Sequence, residues 1–311
     1  MLNDDKIMIH TLHNEEMELS VVDPGKPGTY CGTRFSWAGI IREVTWGEHH
    51  LFGPWQPGPL ALDVHDNVSG TAGEFGMGTA DMPPPLGFDA AGAGDCFIKI
   101  GVGILRRPDK RAYEFFGQYE LVETAPWQTE AKQSRIDMRQ QLACNDLGYD
   151  YTHTIELLPD APGFVTRHRL MNTGSKPICQ THYSHNFLVL DRCTIDSNYE
   201  ITFPFSPAPA FDDNSDVVID DNRLSFQRAL KAPVFAMLDG FKGERADNQV
   251  TVRNRKTGLQ LCITGDSPIV RYHFFASPGA VCPEPFVPVN AAPGETVTWE
   301  YRYELSNNEN Q

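Results

Sequence analysis

Short segments of alternating apolar and polar residues recur along the chain, separated by turns rich in glycine, proline, asparagine and aspartate. Clear examples are 134–144, 149–158 and 163–171. Alternation with a period of two indicates a β-strand with one buried face, and recurrence about every 8–12 residues is typical of a β-sandwich. Only 223–230 suggests a helix, and a short one. The sequence therefore predicts an all-β fold of the sandwich type, as either one large β domain or two smaller ones.

Composition and charge argue against several classes of partner and of structural site. A chain of 311 residues can bury a large core. Its formal charge of −15 argues against nucleic acid or an anionic membrane surface as a partner, because both require basic patches. The seven cysteines show no CxxC spacing, which disfavours a disulfide framework or a structural zinc site. The N-terminus lacks the pattern of a signal peptide and no apolar run reaches transmembrane length, so we expect a cytoplasmic protein, monomeric or homodimeric.

The stretch 181–190, Thr-His-Tyr-Ser-His-Asn-Phe-Leu-Val-Leu, concentrates polar side chains at the start of an apolar strand. Side chains alternate between the two faces of a strand, so Tyr183, His185 and Phe187 share one face and His182 lies on the other. Burying such groups without partners costs roughly 1–3 kcal/mol each. They are therefore either hydrogen-bonded core histidines or part of a site, and their clustering favours a site.

Two later stretches add candidate residues. Within 265–276, Arg271 and His273 would share one face of a strand. Glu284 stands between two prolines, which restrain its backbone. A stiff glutamate that faces a histidine can act as a general base with the histidine as acid, although a Pro-Glu-Pro segment is also typical of an edge loop.

The N-terminal half offers two further candidates. Glu74 lies in the glycine-rich run 73–78, where glycines either bring the backbone close to a ligand or form a permissive surface loop. Lys99 interrupts the apolar segment 97–105, for which we expect one buried strand. A lysine there either extends to solvent or points into a polar cavity, and its position beside Phe97 favours the cavity.

The order of several C-terminal motifs resembles that of the galactose mutarotase-like (aldose 1-epimerase-related) superfamily, whose members are one large antiparallel β-sandwich. The resemblance implies a single domain of this kind over 1–311. The motifs are Asn172-Thr173-Gly174, Ser184-His185-Asn186-Phe187-Leu188-Val189-Leu190, Asp266-Ser267-Pro268-Ile269-Val270-Arg271-Tyr272, Cys282-Pro283-Glu284 and Pro293-Gly294-Glu295-Thr296. In the family the histidine segment carries the general acid and the Cys-x-Glu glutamate is the base. The resemblance implies these catalytic roles for His185 and Glu284.

The mechanism that the resemblance implies needs no cofactor and no metal. Glu284 would take the proton of the anomeric hydroxyl of a small carbohydrate while His185 protonates the ring oxygen. The ring opens, the C1–C2 bond rotates, and closure gives the other anomer. His182, Tyr183 and His273 are further candidates, which would bind substrate hydroxyls or orient His185.

The N-terminal half departs from the family pattern, because it lacks the Arg-rich motif and the His-Gly-Gly or His-Gly-Phe-Ala-Arg element. Arg34 and Lys99 are the cations nearest to that part of the chain, and Arg271 stands where sugar-recognising members have glutamine. Guanidinium groups pair well with carboxylates. Together, Arg34, Lys99 and Arg271 would suit an anionic sugar as the substrate.

Three other functions remain open at this point. The same cleft would serve a non-catalytic sugar-binding protein. It would also serve a lyase or isomerase acting on uronic-acid sugars, with Lys99 or Tyr183 as the base. A histidine-based metal enzyme is disfavoured, because His182 and His185 lie on opposite faces of a regular strand and cannot both bind one ion.

Overall fold

The computed structural model describes residues 8–56, 68–79, 81–209 and 216–307. These residues fold almost entirely into strands: β1 (Ile9–His13), β2 (Met17–Val22), β3 (Ile41–Trp46), β4 (His49–Leu51), β5 (Gly73–Phe75), β6 (Cys96–Lys99), β7 (Gly103–Arg106), β8 (Glu120–Glu123), β9 (Gln128–Ala131), β10 (Arg135–Cys144), β11 (Leu147–Leu157), β12 (Gly163–Asn172), β13 (Ile178–Ser184), β14 (Tyr199–Thr202), β15 (Ala208–Pro209), β16 (Val217–Asp220), β17 (Arg223–Phe226), β18 (Val234–Asp239), β19 (Gln249–Asn254), β20 (Leu259–Gly265), β21 (Arg271–Ala276), β22 (Val281–Ala291) and β23 (Thr296–Asn307). Two 3₁₀ turns, Leu190–Arg192 and Arg245–Asp247, are the helical elements of the described ranges. None of the described helices is long and apolar enough to cross a membrane.

Two sheets form the main layers of the molecule. The larger has ten strands in the order β16-β17-β14-β19-β20-β23-β12-β11-β10-β9, and the second has six in the order β15-β18-β21-β22-β13-β5. Strands β1 to β4 form a third sheet, and β6 to β8 form a fourth. The strand pairings are antiparallel, for example β12 with β23 and β21 with β22. The predicted all-β antiparallel fold is confirmed.

The ten-stranded and six-stranded sheets pack against each other. From β23, Trp299 Nε1 donates a hydrogen bond to His182 Nδ1 at 3.1 Å, and Tyr303 OH donates to Asn186 Oδ1 at 3.0 Å. Strand β22 is almost continuously buried rather than alternating, which is the pattern of a strand covered on both faces. The six-stranded sheet therefore has a second buried face, turned away from the large sheet.

That second face is covered by the loop before β3, by the β6–β7 hairpin and by the turn before β8. A separate apolar cluster lies there and includes Phe35, Phe97, Tyr113, Phe187 and Cys282. On β22 and β21, residues alternate between this cluster and the main core, as a period of two requires. An opening between the described parts of these covering loops is the site described below.

Several predicted strands are present, and two segments differ from expectation. The segments 134–144, 149–158 and 163–171 correspond to β10, β11 and β12. The helix suggested within 223–230 is wrong: residues Arg223–Phe226 form β17, which pairs with both β14 and β16. The segment 97–105 is a β6–β7 hairpin turning at Gly101 (φ +79°) rather than one strand, because a glycine readily adopts this left-handed conformation.

Candidate active site

A cavity of about 490 Å³ opens on the outer face of the six-stranded sheet. Its floor comes from β21, β22 and the segment after β13, and its walls come from the covering loops and β18. The lining residues are Arg34, Trp55, Met77, Thr79, Phe115, Phe116, His185, Phe187, Phe235, Met237, His273, Phe275 and Glu284. Both residues expected to act as acid and base are among them.

His185 and Glu284 are in direct contact at this floor. His185 Nε2 lies 3.2 Å from Glu284 Oε1, and both side chains are buried. His273 is the cross-strand neighbour of Glu284 in the β21–β22 register, so its ring lies on the same face. An imidazole and a carboxylate at hydrogen-bonding distance can exchange a proton directly.

Glu284 lies inside a strand and not in an edge loop. The ladder between β13 and β22 covers Val287–Ala291 only, so Pro283 and Pro285 occur where β22 pairs with β21 alone. A proline, which has no N–H, is tolerated in a strand where one side has no ladder. The backbone of Glu284 is thus held between two residues of fixed φ and by the pairing with β21.

The electrostatic environment favours neutral imidazoles at the floor. Burial lowers the pKa of His185 well below its ordinary value of 6.5, and the charges of Arg34 and His273 lower it further. The pKa of His273 is lowered to about 4, first by burial and then by the charge of Arg271. The His185 ring is also fixed by stacking on Phe187, with 4.1 Å between ring centroids. These histidines are therefore uncharged at neutral pH.

A second layer of charged residues lies directly behind the cavity. The fully buried carboxylate of Glu74 accepts hydrogen bonds from Arg34 Nε at 2.9 Å, from Lys99 Nζ at 2.9 Å and from Tyr183 OH at 2.6 Å. Burial opposes the ionisation of Glu74, but the charges of Lys99 and Arg34 outweigh it and lower the pKa of this carboxyl. Lys99 also donates to Tyr113 OH at 3.1 Å. This layer fixes the guanidinium of Arg34 where it meets the cavity.

The expected cluster of three cations around a ligand is not formed. Arg34 lines the cavity but is paired with Glu74, and Lys99 is fully buried behind it, paired with the same carboxylate. Arg271 does not line the cavity, since its guanidinium pairs with Asp81 at the surface. The prediction of three convergent cations is wrong. The three side chains pair with carboxylates of the chain itself, two of them with Glu74 and Arg271 with Asp81.

Three other predicted site residues also lie away from the cavity lining. His182 faces the large sheet, where it contacts Trp299 and the ring of His168, as its parity on the strand requires. Its assignment to substrate binding is corrected, because a whole sheet separates its ring from the opening. Tyr183 and Glu74 are also fully buried, and they belong to the layer that holds Arg34.

The aromatic wall of the cavity was not foreseen from the sequence. It includes the adjacent pair Phe115 and Phe116 in a turn, and Phe235 and Met237 on one face of β18. The two-residue spacing of Phe235 and Met237 was an available signal for a shared face. No local pattern could have shown that this face meets the turn at 115–116.

One group of described residues has the spacing of a metal site. The ligand atoms of His185, Cys282 and Glu284 all lie within 4.8 Å of one another. Cys282, which shares its face of β22 with Glu284, was not predicted from the sequence as a candidate ligand. These nitrogen, sulfur and oxygen donors suit Zn²⁺, and an ion bound there would replace the direct contact between His185 and Glu284.

Comparison with known proteins gives structural matches only. A scan against protein-family models finds no match, and a search of curated proteins finds none. Among solved structures, the Slr1438 protein of Synechocystis sp. PCC 6803 superposes with a TM-score of 0.61 at 11% identity, covering 97% of each chain. A putative aldose 1-epimerase of Escherichia coli K12 gives 0.59 at 13% identity, covering 97% of this chain and 99% of the other.

The GalM/aldose epimerase homologue of C. elegans is equally similar. It has a TM-score of 0.58 at 11% identity, with coverage of 97% of this chain and 99% of that one. At such identities the similarity establishes the architecture and not the activity. The protein has the galactose mutarotase-like β-sandwich fold.

Proposed function

We propose that the protein is an aldose 1-epimerase-like isomerase, which interconverts the anomers of a small carbohydrate by acid–base ring opening. The observation that carries this proposal is the buried contact of 3.2 Å between His185 Nε2 and Glu284 Oε1 at the floor of an open cavity. The names of the solved neighbours support the same class, since one is called a putative aldose 1-epimerase.

In the proposed reaction, Glu284 takes the proton of the anomeric hydroxyl and His185 gives a proton to the ring oxygen. The bond between C1 and the ring oxygen breaks as the C1 carbonyl forms. Rotation about C1–C2 presents the other carbonyl face, and ring closure reverses both transfers. Because the two groups are in contact, the proton gained by Glu284 can return to His185 without solvent.

The form of His185 that donates is the imidazolium, which burial disfavours. The neighbouring carboxylate of Glu284 offsets part of this effect of burial, since an opposite charge within hydrogen-bonding distance favours the imidazolium. We infer that the pair carries one shared proton in its active form. The two residues therefore act as one unit rather than as an independent acid and base.

The charges around the cavity support a neutral sugar rather than an acid sugar. Arg34 and Lys99 share the carboxylate of Glu74, and Glu284 places a carboxyl group rather than a cation at the floor. Among the residues that the structure describes, an anionic ligand would find no cation in the cavity lining that is not already paired with a carboxylate. A lyase acting on uronic acids with Lys99 as its base gains no support, because Lys99 is enclosed behind the lining.

Anomer exchange measured by NMR over a panel of neutral aldoses tests the proposal. Glu284→Gln should lose most of the exchange above the spontaneous background, while Glu18→Gln, an exposed strand glutamate, should retain it. If Glu284→Gln exchanges anomers as fast as the unaltered protein, the assignment of Glu284 is wrong. Tight sugar binding without exchange by the unaltered protein would instead indicate a non-catalytic binding protein.

A further inference from the structure

The cavity is far more apolar than a free sugar requires. Eight of its lining residues are aromatic or methionine: Trp55, Met77, Phe115, Phe116, Phe187, Phe235, Met237 and Phe275. The polar lining residues are Arg34, Thr79, His185, His273 and Glu284. The cavity thus combines a polar floor with an extensive apolar wall.

The wall is built from rings in edge and stacked contact. Trp55 stacks on Phe187 with 4.5 Å between centroids, and Phe275 meets the edge of Trp55 at 6.3 Å. Across the opening, Phe235 packs edge-on against His273 at 5.2 Å. Such arrangements offer ring faces and edges to another aromatic ring.

The apolar wall continues to the mouth of the cavity, where it meets solvent. Phe116, Phe235 and Met237 line the cavity and are 55%, 52% and 51% exposed. Large exposed apolar side chains that cluster, rather than occur singly, mark a binding surface. A ligand that covers them must reach from the floor out to the mouth.

A small free sugar does not account for these surfaces. Each hydroxyl that a sugar buries needs a polar partner, and the described residues of the apolar wall supply almost none. The volume of about 490 Å³ also lies in the range of about 300–1,000 Å³ that suits ligands larger than one sugar ring. The polar floor and the apolar wall therefore fit two chemically different parts of one ligand.

We propose that the ligand is a sugar substituted with an aromatic group, the sugar lying at His185 and Glu284 and the aromatic group lying between Phe116 and Phe235. The sugar half rests on the proposed function, while the aromatic half rests on the wall alone. Because anomer exchange requires a free anomeric hydroxyl, a substrate of this class carries its aromatic group on another carbon, for instance as an ester.

Calorimetric binding of matched probe pairs tests the proposal. Glucose 6-benzoate is compared with glucose 6-acetate, and glucose 3-benzoate with glucose 3-acetate, all of which keep the anomeric hydroxyl free. We expect the aromatic member of at least one pair to bind roughly tenfold or more tightly. This preference should disappear in the double variant Phe116→Ser/Phe235→Ser and persist in Val122→Ser, an exposed apolar residue outside the cavity lining.

Equal affinities within both pairs overturn the proposal, as does a preference that survives the double variant. Both altered residues are about half exposed, so the fold should be retained, and a thermal unfolding curve checks it. Aromatic preference without exchange on any sugar would leave this inference standing and remove the proposed function. Anomer exchange that depends on Glu284, without a preference for the aromatic probes, would support the proposed function and overturn this inference.

Discussion

His185 Nε2 lies 3.2 Å from Glu284 Oε1, although the two residues are not cross-strand neighbours in the β13–β22 ladder. His185 follows the end of β13, and Glu284 lies beyond the part of β22 that pairs with β13. The contact therefore arises where the ladder between the two strands has stopped and a cavity has opened. A site at the end of a ladder can expose polar side chains without breaking backbone hydrogen bonds.

The contact predicts that the two residues act as a unit in catalysis. Glu284→Gln and His185→Gln should each lower anomer exchange by about 10²–10⁴-fold. The double variant should be no slower than the slower single variant, because removing either member disables the shared proton. Multiplicative losses in the double variant would show that the residues act independently.

The pH dependence of exchange follows from the lowered pKa of His185. The donating form is the imidazolium, and burial places its pKa well below 6.5. The fraction of this form falls as the pH rises above that lowered pKa, so kcat/KM should rise as the pH is lowered below 6.5. The rate is measured by NMR above the spontaneous exchange, at pH values where tryptophan fluorescence shows the folded protein.

A rate that instead rises with pH through this range would reverse the two roles. His185 would then take the anomeric proton as a neutral base, and Glu284 would be the donor. The Glu284→Gln variant separates the cases further, since loss of the carboxylate removes a favourable partner of the imidazolium and should move the apparent pKa of His185 lower.

Strand alternation predicted part of this site from the sequence. It correctly separated His182 from Tyr183 and His185, because parity along a strand decides which face a side chain occupies. It also placed Arg271 and His273 on one face, but it could not show that His273 lines the cavity while Arg271 turns to Asp81. The position of a residue along a strand decides which face its side chain occupies. The group that the side chain contacts there depends on the loops that cover that face.

The charged layer behind the cavity also shows that the sequence does not reveal which side chains contact one another. Arg34, Glu74 and Lys99 were each recognisable as unusual polar residues in apolar surroundings. Their mutual pairing depends on a loop, the short strand β5 and the end of β6 meeting in space. No spacing in the sequence encodes that meeting, so these residues were assigned to a ligand instead of to one another.

Removing the central carboxylate of this layer should destabilise the protein strongly. Glu74→Gln leaves Arg34 and Lys99 buried without their shared anion, and breaking a buried ion pair in this way costs about 3–5 kcal/mol. The free energy of unfolding is measured by denaturant titration. Adding Lys99→Met to Glu74→Gln removes one unpaired charge, so the double variant should be more stable than Glu74→Gln alone.

The exposed pair of Arg106 and Glu120 gives the matched control. It is an ion pair of similar length, 2.9 Å, but both side chains are substantially exposed. Glu120→Gln should change the free energy of unfolding far less than Glu74→Gln does, because solvent screens an exposed pair. Equal losses for Glu120→Gln and Glu74→Gln would contradict the importance of burial for the Glu74 cluster.

A stack of three buried histidines between the two main sheets should make stability dependent on pH. Ring centroids are 4.2 Å apart for His153 and His168 and 4.6 Å apart for His168 and His182. Burial lowers all three pKa values, that of His153 to about 4 and the others well below 6.5. The neighbouring groups that face the stack are Tyr151, which contacts His168 Nδ1, and Trp299, which donates to His182.

The sign of the effect follows from proton binding. Between pH 6.5 and the lowered pKa values, the unfolded chain binds protons at these histidines and the folded chain does not, so the free energy of unfolding rises with pH. Stability is fully present above pH 6.5 and is lost as the pH falls towards about 4 for His153, at roughly 1.4 kcal/mol per pH unit for each histidine. Denaturant titrations between pH 7 and pH 5 measure this slope.

Replacing one histidine of the stack should reduce the slope of the unfolding free energy with pH. This slope can be compared between variants even when their absolute stabilities differ. His153→Leu removes one group that the unfolded chain protonates, so its free energy of unfolding should vary less steeply with pH below 6.5. Thr11→Ala is the control, since Thr11 is an exposed residue of β1 that does not titrate, and its loss should leave the slope unchanged. An unchanged slope in His153→Leu would show that His153 binds protons equally in the folded and unfolded chains, which would contradict its burial as a neutral ring.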